Sequence, residues 1–295
     1  MLDENNKVLP SIFYMLAASA FIGGTAVVAK ILGKDYLGEP LSPFQISHSR
    51  FLYGFVFVLM FSLFNKIKIV STNPKLHLAR TTLGWMGATI LFGSSSLIPL
   101  NDAVALNFSN PVFAMIFSIL LLKEKYFNYR WIAMLITFVG ALILMRPDFL
   151  NLYVEPVAIV SIFGAVCLGL EAIFIKLLTK YEKNTQILLI NNFIGLILSS
   201  LIVIFFWQTP TFFQLLFCIL IGFLMICAQI CFLMALRSNQ LNFVIPFFYS
   251  TLIFVLLYDY LIFRELPDFL SLSGTLLIMI GGVYLFLKET NKDIS

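Results

Sequence analysis

Apolar residues run along this chain in long stretches separated by short polar or Pro- and Gly-marked breaks. A helix needs about 20 mostly apolar residues to cross a bilayer, and each stretch is long enough to do so. We predict ten spans, near residues 10–33, 43–64, 77–97, 99–122, 127–146, 154–178, 185–207, 211–236, 241–263 and 268–288. A membrane β-barrel would alternate with period two, whereas runs such as 132–145 are apolar all round. The pattern therefore predicts an all-α integral membrane protein.

Composition excludes other classes of protein. Of 295 residues, 60% are hydrophobic and only 12% are charged, about half the charged share of a soluble domain. The 32 Phe residues, with neither Gly nor Pro enriched, exclude a disordered or collagen-like chain. Ten spans would use about 200 residues, so we expect no separate soluble domain. We also expect the first stretch to be a retained helix, because Lys7 is the only basic residue before it.

The positions of Lys and Arg predict the orientation in the membrane. With the N-terminus inside, thirteen of the 19 fall in cytoplasmic segments, including Arg80 and Arg130. Three (Lys34, Arg146 and Arg264) fall on the opposite side, and three (Lys30, Arg50 and Lys176) within helices. This bias predicts that both termini are cytoplasmic. The net charge of +4 reflects that asymmetry, and no basic patch indicates a nucleic-acid partner.

The two halves of the chain contain matching residues in the same order. A shift of 141 residues relates Gln45 to Gln186, Gly54 to Gly195, Glu124 to Glu265 and Gly140 to Gly281, and a shift of 146 relates Gly23 to Gly169 and Lys30 to Lys176. Five spans per half is an odd number, so the second half enters from the opposite face. We therefore predict two inverted five-helix repeats, 10–147 and 154–288, related by a pseudo-twofold axis in the membrane plane. Such repeats are typical of transporters.

Several short motifs resemble those of one transporter family. They are Asp102-Ala103-Val104-Ala105, Asn110-Pro111-Val112-Phe113, Leu121-Leu122-Lys123-Glu124, Phe138-Val139-Gly140 through Arg146-Pro147, Met234-Ala235-Leu236-Arg237, Pro246-Phe247-Phe248-Tyr249, Phe263-Arg264-Glu265-Leu266-Pro267 and Gly281-Gly282. They resemble the drug/metabolite transporter superfamily, specifically bacterial proteins with two EamA domains. The resemblance implies transport of amino acids, other metabolites, cofactors such as S-adenosylmethionine or vitamins such as riboflavin, in either direction. Arg264 departs from the family, which often has Gly there.

Glu171 is the strongest candidate for chemistry inside the membrane. It lies about halfway along the sixth stretch without a basic neighbour in sequence. An ionisable side chain at that depth costs several kcal/mol. Glu171 could bind the amine of a substrate or carry a proton, or it could be a structural partner of Lys30, Arg50 or Lys176. For these three cations we prefer snorkelling to the membrane surface.

Further polar candidates lie in the second, third, fourth and ninth stretches. Gln45 and His48 share one helix face, and His48 is either a group that titrates near physiological pH or a hydrogen-bonded packing residue. Pro111 and Pro246 each remove a backbone donor within a span, which produces either a cavity lining or a simple kink. Candidate substrate-binding residues at these breaks are the polar Asn107, Asn110 and Tyr249. Trp85 and Phe248 are candidates for the apolar walls of the same site.

Catalytic and metal sites have little support in the sequence. Cys227 and Cys231 are one helical turn apart, but no nearby His or carboxylate completes a metal site. No GxSxG, HExxH or intramembrane aspartate pair indicates an enzyme, and a scaffold would need neither repeats nor Glu171. We interpret Glu124 and Glu265 as caps at helix starts. We expect no cofactor, no metal and no catalytic residue.

These features predict a secondary transporter that works by alternating access, with its site between the repeats. The expected solute is a small metabolite, amino-acid-like or otherwise amphipathic and zwitterionic, with efflux preferred. The alternatives are an uptake carrier for a cofactor-like solute and, less favoured, an intramembrane enzyme. The chain lacks an ATP-binding motif, so a proton or an exchange solute would drive transport. We expect a monomer or a homodimer in the lipid bilayer.

Overall fold

The computed structural model describes residues 2–67, 73–95, 100–145, 156–264 and 266–290, with the backbone alone for 2–7, 92, 93, 95 and 100–103. Its helices are α1 (Leu2–Leu32), α2 (Pro43–Phe64), α3 (Pro74–Ser95), α4 (Leu100–Asn107), α5 (Asn110–Leu122), α6 (Asn128–Met145), α7 (Pro156–Tyr181), α8 (Asn184–Val203), α9 (Phe212–Ser238), α10 (Leu241–Val244), α11 (Ser250–Phe263) and α12 (Phe269–Thr290). Short 3₁₀ turns occur at Asp35–Leu37, Ile204–Phe206 and Ile245–Tyr249. The part of the chain described is thus almost entirely helical, as the apolar pattern predicted.

Nine spans within the described ranges are long and apolar enough to cross a membrane. Two of them are broken helices, Val104–Leu122 from α4 and α5, and Leu241–Phe263 from α10 and α11. The predicted third span corresponds to α3, which is 22 residues long but is not among the nine. His77 and Arg80 lie in its first half and lower its hydropathy. The protein is therefore a multi-pass membrane protein, with nine spans on this criterion and α3 as the tenth long helical segment.

Helix packing has a twofold pattern that matches the two halves. The second half repeats the first, with α7, α8, α9, α10 plus α11, and α12 equivalent to α1, α2, α3, α4 plus α5, and α6. Helix α1 packs mainly on α9, and the equivalent pair α7 and α3 also pack together. Helix α2 packs on its equivalent α8, and α6 on α12. The long helices of each half are therefore held mainly by the other half, so the halves form one bundle.

The contacts at glycines show the same relation at the level of residues. On Gly54 a side chain would collide with Asn192, and on Gly195 it would collide with Phe51. Gly195 lies 141 residues after Gly54, as Asn192 does after Phe51, so one contact occurs twice with the halves exchanged. The structure thereby confirms two inverted repeats.

The shift of 146 recurs in a second pair of contacts. Gly23 of α1 packs against Phe254 of α11, and Gly169 of α7 packs against Phe113 of α5. The 146 residues from Gly23 to Gly169 and the 141 from Phe113 to Phe254 are the two shifts predicted from the sequence. These contacts bring the helix after each Pro break against the first helix of the opposite half.

The residues that directly follow helices α5 and α11 have the same backbone conformation. Lys123 (φ 54°) and Arg264 (φ 60°), which are 141 residues apart, both adopt the left-handed conformation. Glycine takes that conformation without strain, whereas other residues do so at a cost. This explains why the family that the motifs resemble often has glycine at the position of Arg264, directly before the Glu.

Candidate functional site

Glu171 lies in the middle of α7 and packs against α3. It fits there because position 84 is a glycine, since a Cβ on Gly84 would lie 2.5 Å from Cδ of Glu171. Its side chain is 22% exposed, so the surrounding helices leave part of it accessible. Across the described ranges, no protein group donates a hydrogen bond to this carboxylate.

The cation nearest to Glu171 is Arg80 of α3. Nε of Arg80 lies 3.9 Å from Oε1 of Glu171, and the Arg80 side chain is only 3% exposed. Another nitrogen of the guanidinium, Nη1, donates a 3.3 Å hydrogen bond to the carbonyl oxygen of Ile187. The sequence prediction that Arg80 belongs to a cytoplasmic loop is therefore wrong. Pro74 at the start of α3 was the missed signal, because proline favours the first turn of a helix and places Arg80 well inside it.

Arg50 of α2 is a second cation near this carboxylate. Its Nε atom is buried without a hydrogen-bond partner among the described residues, and its guanidinium carbon lies 4.5 Å from the centre of the Phe51 ring. The guanidinium interacts electrostatically with both Glu171 and Arg80. The preferred interpretation of Arg50 as a residue that snorkels is wrong, because the helix turns it into the bundle.

The remaining cations proposed as partners of Glu171 are engaged elsewhere. Lys30 forms a 3.0 Å ion pair with Asp259, and its ammonium lies 4.3 Å from the centre of the Phe263 ring. Lys176 donates to the carbonyl oxygens of Leu236 and Asn239 at the end of α9. A cation at the C-terminus of a helix is favourable to the helix dipole. Both lysines therefore contribute to helix packing, and neither contacts Glu171.

Gln45 and His48 are not brought to Glu171. Gln45 binds the backbone of Gln208 twice, donating from Nε2 at 2.6 Å and accepting at Oε1 at 3.0 Å. His48 lies 3.1 Å from the hydroxyl of Ser199 and packs edge-on against Trp207. These contacts fix α2 to α8 and to the loop that follows α8.

The two predicted Pro breaks are present and meet each other. Helix α4 ends at Asn107 and α5 begins at Asn110, whose side chain donates a 2.9 Å hydrogen bond to the carbonyl oxygen of Asn107. The fully buried Tyr249 donates a 2.9 Å hydrogen bond from its hydroxyl to the carbonyl oxygen of Phe108 in the first break. Nδ2 of Asn107 is buried and has no partner in the part of the chain described.

Of the two aromatic residues proposed as walls of the site, Phe248 lies at this junction. The ring of Phe248 lies 6.1 Å from that of Phe108 at the first break. Trp85 follows Gly84, the residue on which Glu171 packs, and is half-buried. The backbone oxygen of Asn110 lies beside Gly169, two residues before Glu171. The fold thus brings Asn107, Asn110, Phe248 and Tyr249 to one junction between the repeats, whereas Glu171 packs against Gly84 of α3, on another face of α7.

Charged groups also join the halves at one end of the bundle. Arg130 is 2% exposed and binds Glu289 through two nitrogens, at 2.6 and 3.1 Å. It lies in the first turn of α6, within the span predicted at 127–146. Glu124 accepts hydrogen bonds from the amides of Leu241 and Asn242, at 2.8 and 2.9 Å. Glu124 is a cap, as predicted, but it caps α10 of the opposite half. Its predicted counterpart Glu265 lies outside the described residues.

A different buried pair lies at the start of α3. Nε2 of His77 lies 2.6 Å from Oε2 of Glu182, and both side chains are almost completely buried. In the ranges that the structure describes, no three His, Cys, Asp or Glu side chains form a group that could hold a metal ion. The four cysteines are free thiols.

Comparison with known proteins agrees with this arrangement. The model of the EamA-like transporter family matches residues 9–146 and again 156–287. The chain is 25% identical over 258 residues to an S-adenosylmethionine uptake transporter of Rickettsia bellii, covering 86% of this chain and 87% of the relative. It is 23% identical to the Rickettsia conorii protein of that name, over 98% and 96% of the two chains. A riboflavin transporter of Vibrio cholerae is 26% identical, over 74% and 73%.

A solved crystal structure shares the fold. It superposes with a TM-score of 0.79 at 15% identity and covers 94% of this chain and 97% of its own. Identity at that level supports the fold alone. The family match extends over both halves of the chain, in agreement with the inverted repeats and the paired helix breaks, and the protein is therefore a member of the EamA-like transporter family.

Proposed function

We propose that this protein is a secondary transporter that moves a small metabolite across the bacterial inner membrane by alternating access. The repeats 10–147 and 154–288 are the moving units, and both termini lie in the cytoplasm. The twofold packing supports the two repeats as moving units. The excess of Lys and Arg on one side supports cytoplasmic termini. Movement of one repeat against the other would expose the junction of the two helix breaks to each side in turn.

The pair Glu171 and Arg80 is the observation that carries this proposal. Arg80 belongs to the first repeat and Glu171 to the second, so the pair crosses the interface that alternating access rearranges. A carboxylate at mid-membrane is costly, and this one accepts no hydrogen bond from the part of the protein described. Glu171 is thus available to bind a cationic group of the solute or a proton. Solute binding, not catalysis, is the function proposed for it.

The names of the relatives guide the choice of solute and direction. S-adenosylmethionine carries an amine, a sulfonium and a carboxylate, which are groups complementary to Glu171 and to the arginines beside it. Riboflavin has no such set of charges. We therefore propose uptake of a cofactor-like, amino-acid-bearing solute, in place of the efflux preferred from the sequence. The driving force would be a proton gradient or exchange, and the carrier a monomer or a homodimer.

Transport by the purified chain in liposomes tests the proposal. Labelled S-adenosylmethionine should accumulate inside the vesicles in unchanged chemical form, and accumulation should respond to a proton gradient or to solute loaded inside. Vesicles without protein provide the background. Labelled riboflavin is tested in parallel, because other relatives are riboflavin transporters. Formation of a chemical product would support the intramembrane enzyme instead. Failure to move either solute would contradict the proposal.

A further inference from the structure

The charges around Glu171 do not balance. Two guanidinium groups, those of Arg50 and Arg80, interact electrostatically with a single carboxylate. Both arginines remain charged at any physiological pH. A net positive charge inside a bundle of low dielectric constant is unfavourable unless an anion compensates it. Among the residues described, the site therefore lacks one negative charge.

Of the two arginines that interact with Glu171, Arg50 is the one that donates no hydrogen bond within the described ranges. Lys30, Lys176 and Arg130 all bind a carboxylate or backbone carbonyls. Arg50, by contrast, donates no hydrogen bond to any described residue, and its Nε atom is buried. Its guanidinium lies instead against the face of the Phe51 ring. A guanidinium with free donors, held in one orientation by a ring, is suited to bind an anion from outside the protein.

The carboxylate of Glu171 accepts no hydrogen bond from Arg50, because this carboxylate lies nearer to Arg80. Arg80 already donates to Ile187, and its Nε lies 3.9 Å from the carboxylate. That distance is an ion pair without a hydrogen bond. One carboxylate at this distance from Arg80 leaves the donors of Arg50 free. A second, planar anion would fit the forked donors of Arg50.

We infer that Arg50 binds the carboxylate of the transported solute, while Arg80 holds Glu171 for its cationic group. This inference rests on the proposed function and adds to it a residue that selects the substrate. The solute would carry a carboxylate and a cation a few ångströms apart, as an α-amino acid does. Solutes without the carboxylate would leave Arg50 uncompensated and would be selected against.

Competition against S-adenosylmethionine uptake in liposomes tests the role of Arg50. The wild-type chain should prefer S-adenosylmethionine to its decarboxylated analogue and to its methyl ester by about tenfold or more in KM. Arg50→Gln should remove this preference by raising KM for S-adenosylmethionine while leaving KM for the decarboxylated analogue nearly unchanged. Arg50→Lys keeps the charge but loses the fork, so it should restore only part of the preference. Arg264→Gln makes the same chemical change at an exposed position and should behave as wild type.

The outcomes separate this inference from the proposed function. If the decarboxylated analogue is moved as well as S-adenosylmethionine, or if Arg50→Gln keeps the preference, transport stands and the role of Arg50 is wrong. Transport of riboflavin alone would also contradict that role and leave transport intact. If no probe is moved by the wild-type chain or raises its melting temperature, both proposals fail. If Arg50→Gln does not fold, Arg50→Lys alone decides, since an unchanged preference for the carboxylate contradicts the inference.

Discussion

The hydroxyl of Tyr249 donates a 2.9 Å hydrogen bond to the carbonyl oxygen of Phe108, and this bond joins the helix breaks of the two repeats. Proline at position 111 removes the amide that would otherwise bind a carbonyl four residues earlier. The carbonyl at Phe108 belongs to the same broken turn and is satisfied by a side chain from the opposite half. The junction of the repeats is therefore held by a polar contact at the centre of the proposed solute path.

Tyr249→Phe should destabilise the protein. The change leaves the carbonyl oxygen of Phe108 without its donor in a buried site, which costs about 1–3 kcal/mol. The expected result is a lower melting temperature of the purified protein in detergent. Tyr258→Phe is the control, because the described ranges show a ring contact of Tyr258 with Phe254 and no hydrogen bond from its hydroxyl. Equal melting temperatures for both variants would contradict this role of Tyr249.

Glu171→Gln should change the pH response of transport. Glutamine keeps the size of the side chain and fixes the neutral form. If Glu171 carries protons, the variant should lose gradient-driven accumulation, and its transport rate should stay constant across a pH series. If Glu171 binds an amine only, KM should rise while coupling survives. Glu39→Gln, at an exposed loop position, is the matched control. Unchanged affinity, rate and pH profile would show that Glu171 is structural.

Gly84→Ala should displace Glu171 without changing its chemistry. The added methyl group would lie 2.5 Å from Cδ of Glu171, which is closer than two unbonded carbon atoms can approach. We expect transport to fall severalfold through a higher KM, with the folded yield reduced much less. Gly24→Ala is the matched control, because its Cβ would lie 3.5 Å from the nearest atom, an ordinary contact. If Gly84→Ala transports as Gly24→Ala does, the position of Glu171 against α3 is unimportant.

Cysteine labelling tests the orientation. In a background with the four native cysteines replaced by alanine, Ser71→Cys and Ser295→Cys should react with an impermeant reagent only after spheroplasts are lysed. Glu39→Cys should react in intact spheroplasts, because its loop lies on the outer face in the predicted orientation. Labelling of position 71 or 295 from outside would contradict cytoplasmic termini.

Arg264→Gly should stabilise the protein slightly. Arg264 has φ 60°, where a side chain costs about 1 kcal/mol relative to glycine. Part of that gain is lost because glycine also has more freedom in the unfolded state. We expect a small rise in melting temperature with unchanged transport. A decrease would show that the Arg264 side chain makes a contact worth more than the strain it relieves.

The sequence alone determined most of the architecture. Apolar stretches located the helices because a bilayer requires continuous apolar segments of nearly fixed length. The shifts of 141 and 146 were sufficient to predict inverted repeats, which the glycine contacts confirm. Pro111 and Pro246 marked the breaks because proline cannot donate a backbone hydrogen bond. Glu171 was found because a lone carboxylate within an apolar stretch stands out.

Only the tertiary structure decided which side chains meet. Arg80 was counted as a loop cation, yet it is the partner of Glu171. Glu124 caps a helix 117 residues further along the chain. Gln45 and His48, which lie on the same helix as Arg50, face α8 and its loop instead of Glu171. The physical reason is that these helices are apolar nearly all round, so periodicity does not fix their rotation, and close packing between the two repeats sets which face each helix turns inward.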